Sequence, residues 1–199
     1  MPVDSAPINL THHFLIAMPG LQDEAFSRSV VYLCEHNQSG ALGLIINKPS
    51  DLNLKNLFEK VDLPLRRADL SDALVFQGGP VQTERGFVLH EPLAAAQEGT
   101  DDSTYASTLV IPGGLEMTTS KDVLEALSTG AGPRRVLVSL GYSAWAEGQL
   151  ESELGENAWL TVAADPALIF ETPVEQRYDK ALGLLGLQAW MLSPDVGHG

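Results

Sequence analysis

Two apolar segments separated by a turn constrain this chain more than any other feature of its sequence. The first, SVVYLCEH (residues 29–36), is rich in β-branched and aromatic residues, and the second, ALGLIIN (residues 41–47), is a continuous apolar run. The NQSG between them is typical of a tight turn. The pattern predicts a β-hairpin whose second strand is buried on both faces.

Further strand and helix patterns follow along the chain. HHFLIAMPG (residues 12–20) indicates a short buried strand or a helix stub. Strands are predicted in ALVFQGGP (73–80), GFVLHEP (86–92), TYASTLVI (104–111), RRVLVSLGYS (134–143) and NAWLTVAA (157–164). Helices are predicted in LNLKNLFEKV (52–61) after Ser50 or Asp51, beyond Thr119 or Ser120, in WAEGQLESEL (145–154), after Asp165, and at 175–187. The mixture predicts the α+β class (mixed α/β), with helices packed on a mixed sheet.

Length and composition are typical of a globular chain. The 199 residues are 44% hydrophobic and 19% charged, which excludes the disordered and coiled-coil classes. We expect a loose lead-in at residues 1–13, a single domain at 14–190, undivided or made of two interlocked subdomains, and a tail at 191–199. AAAQEGTDDST (94–104) predicts an exposed loop, and Trp145, Trp159 and Trp190 lie in apolar periodic segments that predict core packing.

Cysteine content and hydropathy indicate the cellular compartment expected for this chain. The one cysteine, Cys34, excludes an internal disulfide and is compatible with a reducing cytoplasm. The basic region of a secretory signal is missing, and the apolar runs fall short of the roughly 18 residues that a membrane span needs. We therefore expect a soluble, cytoplasmic protein with no membrane partner.

Charge limits the classes of partner. Twelve Lys and Arg against 26 Asp and Glu give a net charge of −14, and the pI is near 4.5. A chain with this balance lacks the basic face that phosphate contacts require. Direct nucleic-acid binding is therefore disfavoured.

The segment LVSLGYSAW (137–145) is the feature most typical of an enzyme. A strand, then Gly141, Tyr142 and Ser143, then a helix, is the arrangement of a nucleophile elbow, with Ser143 as the candidate catalytic residue. Trp145 replaces the second glycine of that motif, and the only later histidine, His198, is the penultimate residue. The favoured alternative is structural: Gly141 makes a tight turn and Ser143 caps the helix.

Gly78, Gly79 and Pro80 form a second candidate site. A glycine loop can bring backbone amides to an anion, although a tight turn explains the residues more simply. Arg85 and His90 flank the next strand, but their spacing places them on opposite faces, so they are a poor pair for one ligand.

Cysteine and histidine residues suggest chemistry at two places in the sequence. Cys34 and His36 share a strand face, with Glu35 on the other, so a Cys/His couple is geometrically feasible; a buried inert thiol is favoured. His12 and His13 lack neighbouring ligands at metal spacing. We expect no metal and no cofactor.

Several of these segments together resemble the bacterial YqgE/AlgH family. The motifs are FLIAMPG, RSVVY, CEH, GALGLIINKP, QGGPVQTERGFVLH and LGYSAWAEGQLESELGENAWL, in linked order from about residue 14 to about residue 187. The resemblance implies an α and β fold whose sheet curls toward a flattened barrel with helices packed around it. The family is chiefly of unknown function, and one branch is named as a transcriptional regulator of alginate synthesis.

The resemblance also marks candidate ligand-binding residues. Carried over by position they are Arg28, Glu35, His36, Asn47, Gly78, Gly79, Arg85, His90, Gly141, Tyr142, Ser143 and Trp145. Ala144 stands where the family usually has glycine, which weakens any role that needs a positive φ or a close ligand approach there.

These observations predict a non-catalytic protein that binds a protein partner or a small ligand, with any effect on transcription indirect. One alternative is a hydrolase or small-ligand enzyme that uses the Gly141–Ser143 segment. Another is a direct DNA-binding transcriptional regulator.

Overall fold

The predicted hairpin is present in the computed structural model, which describes residues 9–21, 26–92 and 105–192. Val30–Asn37 and Gly40–Ile45 form antiparallel strands, with Val31 opposite Ile45 and Asn37 opposite Gly40. Leu44 and Ile45 are buried, as expected of an apolar strand inside a sheet.

Ten strands and five α-helices are present in the described residues. The strands are β1 (His13–Ala17), β2 (Val30–Asn37), β3 (Gly40–Ile45), β4 (Pro49–Asn53), β5 (Leu74–Gln77), β6 (Val81–His90), β7 (Thr108–Ile111), β8 (Leu115–Thr118), β9 (Val136–Ala146) and β10 (Trp159–Ala163). The helices are α1 (Leu54–Lys60), α2 (Asp122–Ser128), α3 (Gln149–Gly155), α4 (Pro166–Phe170) and α5 (Arg177–Gly183). The α+β class is confirmed.

The chain divides into two compact units, the first made of residues 1–47 and 143–199. Its strands lie in the order β10-β1-β2-β3-β9, all antiparallel, with β9 contributing from Ser143 onward. The core includes Leu15, Val31, Trp145 and Trp159. Helix α3 packs on β3 and β10, and α5 packs on β1 and β2.

Residues 48–142 form the second unit. Its strands lie in the order β4-β5-β9-β6-β8-β7. Strand β5 runs parallel to β9, with Val75 opposite Val138, and the other pairs are antiparallel, so the sheet is mixed as predicted. Helices α1 and α2 contribute Phe58, Val123 and Leu127 to the core.

Several predicted boundaries are wrong for local reasons. Helix α1 is capped by Asn53, whose side chain accepts from the Asn56 amide at 2.8 Å; Ser50 instead lies in β4 and donates its hydroxyl to the Val75 carbonyl. The cap of α2 is Lys121 rather than Thr119 or Ser120. The final helix is shorter than predicted.

Two further differences concern strands and burial. The sequence pattern does not predict strand β8, because its four residues, LEMT, include a glutamate. In the structure β8 is buried between β6 on one side and β7 on the other. The prediction that all three tryptophans pack in the core is confirmed for Trp145 and Trp159, which are each 4% exposed. It is wrong for Trp190, which is 60% exposed.

Some predictions lie outside the described residues, namely the loop at 94–104, most of the lead-in and most of the tail. Within residues 9–21, 26–92 and 105–192, no helix is long and apolar enough to cross a membrane.

Candidate functional site

The residues marked by the resemblance divide between the two units. Arg28, Glu35, His36, Asn47, Ser143 and Trp145 belong to the first, and Gly78, Gly79, Arg85, His90, Gly141 and Tyr142 to the second. Most of the second set lie where β6 meets β9.

Strand β6 leaves the sheet for a short stretch beside β9. Val81 lies opposite Tyr142 and Gly86 opposite Leu140, so five steps along β6 face two steps along β9. Residues 82–85, called here the β6 bulge, are exposed, and Gln82 adopts φ +47°. A positive φ is uncommon for a residue with a side chain and marks a constrained backbone.

Glycines allow the backbone to pass close to β9 beside this bulge. The Gly78 amide donates to the Leu140 carbonyl at 3.0 Å. Gly141 has φ +79°, and a β-carbon there would lie 2.6 Å from the Gly79 carbonyl oxygen and 3.1 Å from that of Val81. Only glycine fits at position 141 without moving the neighbouring backbone.

An exposed guanidinium lies over one aromatic ring at the bulge. Arg85 donates to the Gln82 side-chain oxygen at 3.3 Å, and its guanidinium carbon lies 5.7 Å from the Phe87 ring centroid. Phe87 and Tyr142 meet edge to face at 5.3 Å. Residues 82–85 line an open cavity of about 620 Å³. No carboxylate of the described residues forms an ion pair with Arg85, so this cation can receive an anionic group.

His90 faces the interior of the second unit rather than the bulge. The His90 Nδ1 atom lies 2.8 Å from the Glu91 carbonyl oxygen, which can only accept, so Nδ1 carries the proton and donates it. In the neutral ring Nε2 then has no proton, and it accepts from the Thr118 hydroxyl at 2.7 Å. Burial lowers the pKa of His90, partly opposed by the bond to Glu91 and by the charge of Glu116. As their spacing predicted, His90 is buried and Arg85 exposed.

Arg28 and Asn47 form a second arrangement, in the first unit. Asn47 donates to the Arg28 carbonyl at 2.9 Å and accepts from the Val30 amide at 2.8 Å, which holds Arg28 at φ +56°. The Arg28 guanidinium carbon lies 4.6 Å from the Tyr178 ring centroid. Tyr178 in turn donates to the Ala17 carbonyl at 2.6 Å. These contacts tie α5 to the ends of β1, β2 and β3.

The Cys34–His36 couple is not formed. Both ring nitrogens of His36 are engaged elsewhere, since Nδ1 accepts from the Leu10 amide at 3.0 Å and Nε2 lies 3.3 Å from Glu151 Oε1. Burial, with a contribution from Glu35, raises the pKa of the Cys34 thiol, which disfavours a reactive thiolate. Glu35 itself is exposed.

The nucleophile-elbow interpretation of Ser143 is wrong. Strand β9 continues from Val136 to Ala146, so residues 141–143 are not a strand-to-helix turn. Ser143 lies opposite Gly43 in the sheet and is 0% exposed. The alternative, Ser143 as a helix cap, is wrong for the same reason, because α3 begins at Gln149 with Gly148 as its cap.

Glu153 is a half-buried residue that the sequence reasoning missed. Its Oε1 accepts from the indoles of Trp145 at 3.0 Å and Trp159 at 2.8 Å, and its Oε2 accepts from Gln149 at 3.0 Å. Phe26 packs on both tryptophans. The sequence around Glu153 gives no indication of these hydrogen bonds, because the helix has the polar pattern of an exposed one and Trp145 and Trp159 lie on two strands that pack against it. Trp145 is therefore held as a packing residue.

Comparison with known proteins settles the family. The AlgH-like family profile matches residues 14–190. This chain belongs to the AlgH-like family. Proteins named UPF0301 from Polaromonas sp. and Variovorax paradoxus are 77% and 76% identical to it over 198 residues, with all of both chains covered.

Solved structures support the same conclusion. The solution structure of the AlgH protein from Pseudomonas aeruginosa is 47% identical, covers 98% of each chain and has a TM-score of 0.74. A Corynebacterium diphtheriae crystal structure, 19% identical, shares the fold with a TM-score of 0.67 over 87% of this chain and 85% of that one. The AlgH-like fold expected from the motifs is confirmed.

Proposed function

We propose that this AlgH-like protein is a non-catalytic binding protein that takes a small anionic ligand at the β6 bulge. Any effect on transcription, the role in which the family's alginate branch is named, would then be indirect. The observation that carries the proposal is the Arg85 guanidinium, presented over Phe87 by a bulge whose backbone is constrained at Gln82.

The chemistry of the bulge favours one kind of ligand. A guanidinium has five N–H donors, and the bond to Gln82 uses one of them. The rest suit a carboxylate or phosphate bound through two parallel hydrogen bonds. Glu84 lines the same cavity, which favours a ligand with a hydrogen-bond donor beside its anionic group over a bare polyanion.

Neither alternative function finds comparable support. A hydrolase would need an accessible nucleophile, whereas Ser143 is buried within a strand. A DNA-binding regulator would need a basic face, whereas the chain carries a net charge of −14.

The test is a titration of the isotope-labelled protein followed by NMR. Orthophosphate, L-glutamate and AMP are the probes, and the reporters are the Arg85 side-chain N–H and the amides of Gly79 and Tyr142. We expect at least L-glutamate or AMP to shift these signals saturably and R85A to abolish the effect. R66A removes an exposed arginine of the same unit and should leave binding unchanged. No saturable shift with any probe at about 10 mM, or equal binding by R85A, would refute the proposal.

A further inference from the structure

Exposed apolar side chains are concentrated near the end of α5. Leu184 is 42% exposed, Leu185 37%, Trp190 60% and Met191 41%. Several large apolar side chains exposed within eight residues of one another are typical of an interaction site. These residues, with the outward face of α5, are called here the C-terminal patch.

One face of helix α5 packs in the core and the opposite face is exposed to solvent. Tyr178, Ala181 and Leu182 are buried in the first unit. Asp179, Lys180 and Gly183 lie on the other side of α5. They line a cavity of about 1010 Å³ together with Leu184, Leu187 and Trp190, which follow the helix. No atom lies within 4 Å of the β-carbon position of Gly183, so another backbone can approach there.

The charges of the patch favour a second copy of the chain as its occupant. Each copy carries a net charge of −14, so self-association is repulsive wherever the facing surfaces are acidic. The cavity is lined by one acid, Asp179, and one base, Lys180, which cancel. In a two-fold contact the same surface meets itself, so each Asp179 can face the Lys180 of the other copy while the apolar residues pack together.

We propose that the C-terminal patch binds the same patch of a second copy, forming a two-fold symmetric dimer in which Asp179 and Lys180 pair across the interface. This goes beyond ligand binding at the β6 bulge, which uses residues of the second unit.

Analytical ultracentrifugation of the full chain tests the proposal. We expect a species of twice the 21.4 kDa chain mass that dissociates on dilution. W190E and L184E should weaken dimerisation about 100-fold or more, because each introduces a charge into an apolar contact. The matched control is L74E, which changes a side chain that is 40% exposed on the second unit, outside the patch, and should leave the dimer intact. Circular dichroism and urea unfolding check that each variant is folded.

A charge exchange tests the pairing itself. K180D should weaken the dimer, because it places two acids on each facing surface, and D179K/K180D should restore it. A monomer at about 100 µM would overturn the proposal. So would a dimer that tolerates W190E and L184E, equal disruption by L74E, or a double variant that fails to restore association.

Discussion

Gly141 lies against Gly79 so closely that a β-carbon on Gly141 would be 2.6 Å from the Gly79 carbonyl oxygen. Atoms of a real side chain do not approach backbone oxygen to that distance. Gly148 has nearly the same backbone angle, φ +76° against +79°, but no atom lies within 4 Å of its β-carbon position. The two glycines therefore separate the effect of close packing from that of backbone conformation.

Gly141→Ala should destabilise the protein strongly, by about 3 kcal/mol or more, because both the positive φ and the backbone clash oppose the methyl group. Gly148→Ala should cost only about 1 kcal/mol, since it has the unfavourable φ alone. Urea unfolding of both variants measures the difference. Equal losses would mean that contact with Gly79 does not constrain position 141.

Glu153→Ala should lower the free energy of unfolding by about 2–4 kcal/mol, because two indole N–H groups lose a charged acceptor. Glu156→Ala, at an exposed position after the same helix, is the control and should change stability by less than about 0.5 kcal/mol. Glu153→Gln should lie between them, since the amide oxygen can still accept from the indoles. Tryptophan fluorescence follows the unfolding, and a harmless Glu153→Ala would contradict the assigned role.

His90 should make the protein less stable as the pH falls below the ordinary histidine pKa of 6.5. Burial lowers the pKa of His90 in the folded state, so the unfolded chain binds a proton that the folded chain does not. Stability from this group is therefore present above pH 6.5 and lost below it, by up to about 1.4 kcal/mol per pH unit. His90→Gln keeps an acceptor for Thr118 and should flatten the dependence of stability on pH below about pH 6.5. If the free energy of unfolding changed equally with pH in the two proteins, His90 would not be the source of the pH dependence.

Ser143→Ala should leave hydrolysis unchanged on a panel of small esters, at the background rate in both proteins. The reason is that the Ser143 side chain is 0% exposed within β9. Turnover by the unaltered protein that Ser143→Ala abolishes would revive the hydrolase interpretation.

Local patterns predicted the elements better than the site. The hairpin of β2 and β3, the strand at β10 and the Asp165 cap of α4 follow from signals within a few residues, and each is present. The sequence pattern predicts a turn at Gly141, because glycine often interrupts a strand or helix. In the structure it lies inside a strand, since the approach of Gly79 requires glycine there.

The amino-acid sequence alone determined the apolar and turn segments, the acidity of the chain and the motifs of the AlgH-like family, because each is a property of residues close together in the chain. Only the tertiary structure decided that residues 82–85 leave the sheet, that Ser143 is buried and that Glu153 binds two indoles. Those outcomes depend on which distant segments lie side by side, and strand pairing and burial are set by the whole packed fold rather than by local preference.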